Sequence, residues 1–199
     1  VEKVMTLTAV LLAGGESRRM GRDKAMIEFD GQPFWNRQLE VLRALRPEKI
    51  FVSARTTPSW LPSDAALLLD EPPSRGPLSC LTKALTAMRT THLLALAVDM
   101  PFVTREQLAV LCELAVEGRG VVPAIGDRAE PLAAVYPAQA AIHFAEALAG
   151  ADFSLQRVIR ELAAAEKVRL FSVPAGDEHL YRSVNEPGDL AENSLPEIR

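Results

Sequence analysis

Residues 11–24 read Leu11-Leu12-Ala13-Gly14-Gly15-Glu16-Ser17-Arg18-Arg19-Met20-Gly21-Arg22-Asp23-Lys24. Gly14 and Gly15 lack Cβ, so they can reach unusual φ/ψ values and let a ligand approach the backbone closely. Exposed N–H groups in such a turn form an anion-binding concavity, and Arg18, Arg19, Arg22 and Lys24 add formal charge beside it. That is what a polyphosphate needs. The chain carries 26 Asp and Glu against 22 Lys and Arg, so four cations within seven residues are a local feature. The plainer alternative is a solvated basic loop after a strand. Two familiar phosphate loops fail on spacing. A P-loop needs Lys directly after its second Gly, whereas Gly21 is followed by Arg22-Asp23-Lys24. A dinucleotide fingerprint needs G-x-G, whereas Gly14 and Gly15 are adjacent.

Two acids could face such a loop. Asp99 follows the most apolar run of the chain, inside Ala97-Val98-Asp99-Met100-Pro101, where a carboxylate is costly unless it meets a cation, a donor or water. One reading is a Mg²⁺ ligand, since that ion takes one or two carboxylates and completes its shell with phosphate oxygens and waters. The other is an Asp closing the turn before Pro101. Asp70 ends another apolar run. Guanine presents its N1–H and 2-amino donors side by side, and one carboxylate can accept from both, so Asp70 is a candidate for base or ribose recognition. As a plain alternative it is a turn residue.

The elements that must position these groups alternate. Apolar runs at 7–13, 49–53, 65–69, 92–98, 120–123, 132–136 and 168–173 read as strands, with a short extended piece at 26–29. Helices are expected over 33–45, 76–88, 105–117, 138–149 and 154–165, with Thr104 capping the third, and a last short one starting at Pro187. Alternation of this kind predicts an α/β fold in three layers, a mainly parallel, mixed sheet with helices on both faces. Ligands bind such sheets at the carboxyl ends of the strands. Gly14-Gly15, Ser53, Asp70 and Asp99 all fall just past strand ends, so one sheet edge should gather a phosphate loop and two carboxylates.

The first loop resembles the start of nucleotidyltransferases, L-A-G-G-x-S-x-R-M-G-x-D-K, with Ser17, Arg19, Met20, Gly21 and Lys24 in the places of that pattern. More narrowly, it is similar to the molybdenum cofactor guanylyltransferases, also called molybdopterin-guanine dinucleotide biosynthesis protein A. Gly76-Pro77-Leu78-Ser79 resembles that family's G-P-L-x-G segment, with Cys80 in place of the closing Gly. Residues 130–136 resemble its E-P-L-x-A-x-Y strand, and 184–190 its closing L-N-x-P-x-D-L segment. Ser53 departs from the Asn often found after the second strand, and Ala97 from a common Cys.

The resemblance implies a Rossmann-like nucleotidyltransferase fold, GTP as donor, molybdopterin or its molybdenum form as acceptor, and Mg²⁺ as cofactor. By position it implies Leu12, Ala13, Gly14, Gly15, Ser17, Gly21, Lys24, Ser53, Asp70, Gly76 and Asp99 at the nucleotide. It puts Lys24, Arg19 and Asp99 in catalysis, Asp99 on the metal, and Pro77, Leu78 and Asn185 at the acceptor. The alternatives are a cytidylyltransferase or other small-phosphate nucleotidyltransferase of the same fold, and a non-catalytic nucleotide-binding adaptor.

At 199 residues the expectation is a single domain over 1–199, its N-terminal half binding nucleotide and its C-terminal half the acceptor. A net charge of −4 gives no reason to expect a nucleic-acid partner. Cys80 and Cys112 form neither a metal-type pair nor a disulfide framework, which points to a reducing cytoplasm. No window is long enough for a membrane span. His92, His143 and His179 show no catalytic or metal spacing, and Trp35 and Trp60 read as packing residues. A monomer is expected, with transient contact to molybdoenzyme maturation proteins.

Overall fold

The computed structural model describes residues 5–14, 24–70, 72–184 and 189. The first apolar run is strand β1, Leu7–Leu12, buried along its whole length. Its side chains alternate between two faces, as a strand's must. Leu7, Ala9 and Leu11 join one core cluster, while Val10 and Leu12 join the other. A 3-10 turn at Lys24–Met26 leads into the two-residue strands β2 (Glu28–Phe29) and β3 (Gln32–Pro33), which pair as a small hairpin. Asp30 and Gly31 form its turn with φ of 51° and 74°, the left-handed pair that two-residue hairpins favour. Pro33 then caps α1, Phe34–Ala44, rather than being its first residue.

β4 (Lys49–Ala54) and β5 (Ala65–Leu69) precede α2 (Pro77–Ala87), β6 (His92–Ala97) and α3 (Arg105–Leu114). β7 (Gly120–Ile125), β8 (Arg128–Ala129) and β9 (Ala133–Pro137) follow, then α4 (Ala141–Ala149), α5 (Leu155–Ala164) and β10 (Val168–Ser172). The main sheet runs β10-β7-β9-β6-β1-β4-β5, with β8 paired to β7. β1 is parallel to both neighbours, with Leu12 opposite Ser53 of β4 on one side and Ala97 of β6 on the other. β9 runs antiparallel between β6 and β7, which makes the sheet mixed. Phe34, Leu39, Leu42, Leu108 and Leu111 cover one face from α1 and α3. Leu81, Leu85, Phe144, Ile159 and Leu162 cover the other from α2, α4 and α5. The expected three layers are present.

Several local expectations change. α3 stops at Leu114 instead of reaching 117, because Val116 and Arg119 close a β-bridge around Gly118 at φ 71°. Thr104 sits at the α3 N-cap, but its hydroxyl meets the Gln107 side chain rather than a helix N–H. Beyond the Gly126-Asp127 turn the chain first returns along β7 as β8, and only then starts β9. The final helix expected from Pro187 falls outside the described residues.

Candidate active site

From β1 the chain winds outward to β4 and β5, then crosses back to β6 on the other side of β1. The carboxyl ends of β1 and β6 therefore flank the switch in strand order, where doubly wound sheets bind ligands. A cavity of about 360 Å³ opens there, within the range of small-molecule sites. Leu12, Ala13 and Gly14 line it from the end of β1, Ala97, Val98 and Asp99 from β6, and Gly76 and Pro77 from the start of α2. The Lys24 ammonium reaches into it and donates to Asp99 Oδ2 at 2.9 Å. Two residues 75 positions apart, named separately by the first loop and the most apolar strand, thus share one wall.

The Asp99 turn is fastened to the sheet and to the chain's far end. Val98 N–H donates to Leu12 O at 3.0 Å, and Val184 N–H donates to Asp99 O at 2.7 Å. The segment that leads into Asn185 therefore lies against Asp99. Asn185 itself lies outside the described residues, as do Gly15, Ser17, Arg19 and Gly21.

Gly14 lines the cavity without a left-handed φ, and a Cβ built on it comes no nearer than 3.8 Å to Ala54 Cα and Ser53 O. The protein thus does not require glycine there, and the expectation of an unusual backbone conformation does not hold at this position. What a side chain would take up is room in the cavity. The Ala13 amide is already used, donating to Ser53 O at 2.8 Å. Gly76 is different. Its φ of 62° and ψ of −140° suit glycine alone, and they turn the chain so that Pro77 begins α2 beside the cavity.

Three expected contacts sit back from the cavity. Asp70 is 6% exposed and is not among the lining residues; its Oδ2 accepts from Ser74 Oγ at 2.6 Å, and Ser74 does line the cavity. Ser74 Oγ in turn accepts from Gly76 N–H at 3.1 Å, so Asp70 holds the loop that starts α2. Ser53 is buried and is not among the lining residues. Leu78 is wholly buried in the core under α2 and does not reach the cavity.

Sequence reasoning passed over Arg55, Ser74 and Leu132, which also line the cavity. Arg55 directly follows β4 at the same sheet edge as Gly14 and Asp99, a position that could have flagged it. Leu132 arrives because β9 is antiparallel: its start lies beside the end of β6, with Ala97 N–H donating to Leu132 O at 2.8 Å. Cys80 also lines the site, and burial raises its thiol pKa, so it is a neutral wall there.

Asp99 is the one carboxylate among the described lining residues, and its Oδ1 has no hydrogen-bond partner among the described residues. No cluster of three or more His, Cys, Asp or Glu suited to a metal occurs among them. This donor set does not fit a closed all-protein metal site. It fits a cation that accepts one carboxylate and takes its remaining ligands from water and phosphate, as Mg²⁺ does.

A mixed sheet wound to both sides of β1, with a Lys–Asp pair in the cavity at the switch point, defines an α/β domain built to hold a phosphate-bearing ligand. The chain belongs to the MobA-like NTP transferase domain family, which matches residues 9–182. It is 33% identical over 186 residues to a protein of Opitutus terrae named probable molybdenum cofactor guanylyltransferase, covering 92% of each chain. It is 32% identical over 193 residues to a protein of the same name from Natronomonas pharaonis, covering 92% of this chain and 94% of that one. Its fold is similar to the crystal structure of molybdopterin-guanine dinucleotide biosynthesis protein A from Archaeoglobus fulgidus. The TM-score there is 0.71 at 20% identity, covering 93% of this chain and 95% of that one.

Proposed function

We propose that the protein transfers GMP from GTP to the terminal phosphate of molybdopterin, or of its molybdenum-bearing form, releasing pyrophosphate. The observation that carries the reading is the Lys24–Asp99 pair inside the cavity at the ends of β1 and β6. Family membership and the names of its relatives support the donor and acceptor.

An acceptor phosphate oxygen attacks the α-phosphorus of GTP, and the bond to the bridging oxygen of pyrophosphate breaks, its electron pair leaving with pyrophosphate. The second pKa of a phosphate monoester is about 6, so the acceptor is already largely ionised near neutrality and no side-chain base is required. The barrier is charge and alignment, which is where preorganised cations act. Lys24, together with Arg19 in the first loop, would hold the triphosphate and draw charge onto the departing pyrophosphate. Gly14 leaves room for the phosphates, and the amino end of α2 at Gly76-Pro77 offers its dipole to an anion. Asp99 would hold Mg²⁺, which supplies neutralisation of phosphate charge when bound. Asp70 would act at the nucleotide through, or after movement of, the Ser74 loop, and Asn185 and Pro77 at the acceptor.

On this reading residues 1–199 form one domain, its N-terminal half binding the nucleotide and its C-terminal half the acceptor. One continuous main sheet running through both halves supports the single domain. The protein would act as a cytoplasmic monomer in transient contact with molybdoenzyme maturation proteins. Among the described residues no helix is long and apolar enough to cross a membrane.

The test is pyrophosphate release from each of the four ribonucleoside triphosphates, with and without molybdopterin and Mg²⁺. Release from GTP alone among them, only with acceptor and metal, is expected. A preference for CTP would make the protein a cytidylyltransferase. GTP binding without release under any condition would make it an adaptor.

A further inference from the structure

The turn that carries Asp99 follows β6 with no strand partner for its carbonyl groups, and three consecutive ones accept from far along the chain, Met100 O in addition to its local bond from Val103 N–H at 3.2 Å. Val184 N–H donates to Asp99 O at 2.7 Å, Gln38 Nε2 donates to Met100 O, and Arg37 Nε donates to Pro101 O at 2.7 Å. Two of the three donors are adjacent side chains in the first turns of α1. Gln38 is 0% exposed among Phe34, Leu39 and Leu42, and its Oε1 has no partner among the described residues. A buried amide half-used is costly in a core that a methionine or leucine would fill. Its one hydrogen bond is to the residue next to Asp99.

Arg37 also reaches the stretch of chain that follows the other half of the ion pair. Its guanidinium carbon lies 5.2 Å from the centre of the Phe29 ring, five residues after Lys24. Phe29 meets Phe102, three residues after Asp99, edge to face with centroids 5.3 Å apart. The α1 amino end is further tied to the Lys24 segment by Phe34 N–H donating to Ile27 O at 2.8 Å. The chain leaving Lys24 and the chain leaving Asp99 are thus clamped together on one turn of α1, behind the cavity wall.

We propose that Arg37 and Gln38 are positioning residues: they fix the Asp99 turn, and through Phe29 Arg37 fixes it relative to Lys24, so that the pair presents one geometry to nucleotide and metal. This rests on the guanylyl-transfer reading for the ligands concerned. Supports of this kind behind a metal-holding carboxylate orient it without touching substrate.

Arg37→Met removes the donor and the cation with little change of length. Arg37→Lys keeps a cation over Phe29 but lacks the planar fork. Each full-length variant is compared with the unaltered protein in three measurements: thermal melting, Mn²⁺ binding in the presence of GTP without acceptor followed by the free Mn²⁺ EPR signal, and kcat and KM for pyrophosphate release. Arg37→Met should melt cooperatively, bind Mn²⁺ roughly ten- to a hundredfold more weakly and lose kcat by a similar factor, with KM for GTP close to that of the unaltered protein. Arg37→Lys should fall between the two, and it decides the matter if Arg37→Met does not fold. A lower melting temperature with Mn²⁺ affinity and kcat unchanged would falsify the proposal, leaving Arg37 a packing residue. Unaltered protein that binds Mn²⁺ with GTP but releases no pyrophosphate overturns guanylyl transfer instead, and the Mn²⁺ comparison still decides the role of Arg37. Unaltered protein that binds no Mn²⁺ overturns the positioning role, because Asp99 then holds no metal to be aimed.

Discussion

Lys24 and Asp99 keep 17% and 22% of their side-chain surface exposed, so the pair is partly shielded while water and ligand still reach it. Removing either partner leaves a charge with one contact fewer and takes away a group that the proposed chemistry needs. Lys24→Ala and Asp99→Asn should each lower pyrophosphate release by about a hundredfold or more. The cost to unfolding free energy should be about 1–3 kcal/mol. A variant that turns over normally in a steady-state assay removes that residue from the mechanism. The two glycines of the site separate in the same way. Gly14→Ala meets only ordinary contacts in the protein, so its melting curve should match wild type while KM for GTP rises. Gly76→Ala has open space for its Cβ but keeps a φ of 62°, so it should cost about 1–3 kcal/mol in denaturant unfolding. Both glycines stood out in the sequence by place, but only coordinates separate the one kept for ligand room from the one kept for backbone conformation. Asp70 and Leu78 show the opposite limit. Its place past a strand end put Asp70 at the right sheet edge and the family resemblance put Leu78 at the acceptor, yet the depth of each side chain depends on how α2 and its loop seat on the sheet.

At the scale of elements, strands and long helices were legible because their apolar periods are long enough to show. The strand over 65–69 matches β5 residue for residue, and the ends of α1, α2 and α5 move by only one or two residues. What escaped were pieces too short for any period, β3 and β8, and the stop of α3, where the Val116–Arg119 bridge overrides helix propensity. Ser74 escaped for the same reason: it comes from irregular chain, and only the packing of the loop before α2 brings it to the cavity, whereas Arg55 sits directly past the end of β4. The direction of β9 was illegible too. A fully buried antiparallel strand is as continuously apolar as a parallel one, and Ala133–Pro137 is buried at every position. Its closeness to β7 depends on Gly120, where a built Cβ would lie 2.1 Å from Val135 O. Gly120→Ala must push two central strands apart. It should cost more than about 2 kcal/mol in chemical denaturation, with the loss felt first in β7 and β9 by hydrogen exchange.

For the molecule as a whole, the sheet edge opposite the active site carries its own polar arrangement. His92 starts β6 with no exposure at all, its Nε2 3.0 Å from Val116 O and its Nδ1 3.0 Å from Thr91 Oγ1. Burial lowers its pKa below the ordinary 6.5, outweighing the carbonyls of Val116 and Arg119, which favour the charged ring. As pH falls through 6.5, the unfolded chain takes up a proton at this histidine while the folded chain does not. Stability from this group is therefore complete above 6.5 and is lost progressively as pH drops toward the folded-state value. Glu130 works in the other direction at lower pH. Its carboxyl is raised above 4.5 by burial, so its contribution is greatest below that value and fades as pH rises through the folded-state pKa. Total stability mixes the two, and a single melting profile cannot assign either. His92→Gln keeps an amide able to donate to Val116 O but cannot titrate, so the difference between wild type and this variant isolates the imidazole. Calorimetric melting in matched buffers from above pH 7 down to about pH 5 should show that difference constant at the upper end and shifting in favour of the variant below 6.5. A difference independent of pH would mean that the imidazole takes up its proton equally in the folded and unfolded chains, which a ring with no exposed surface should not allow.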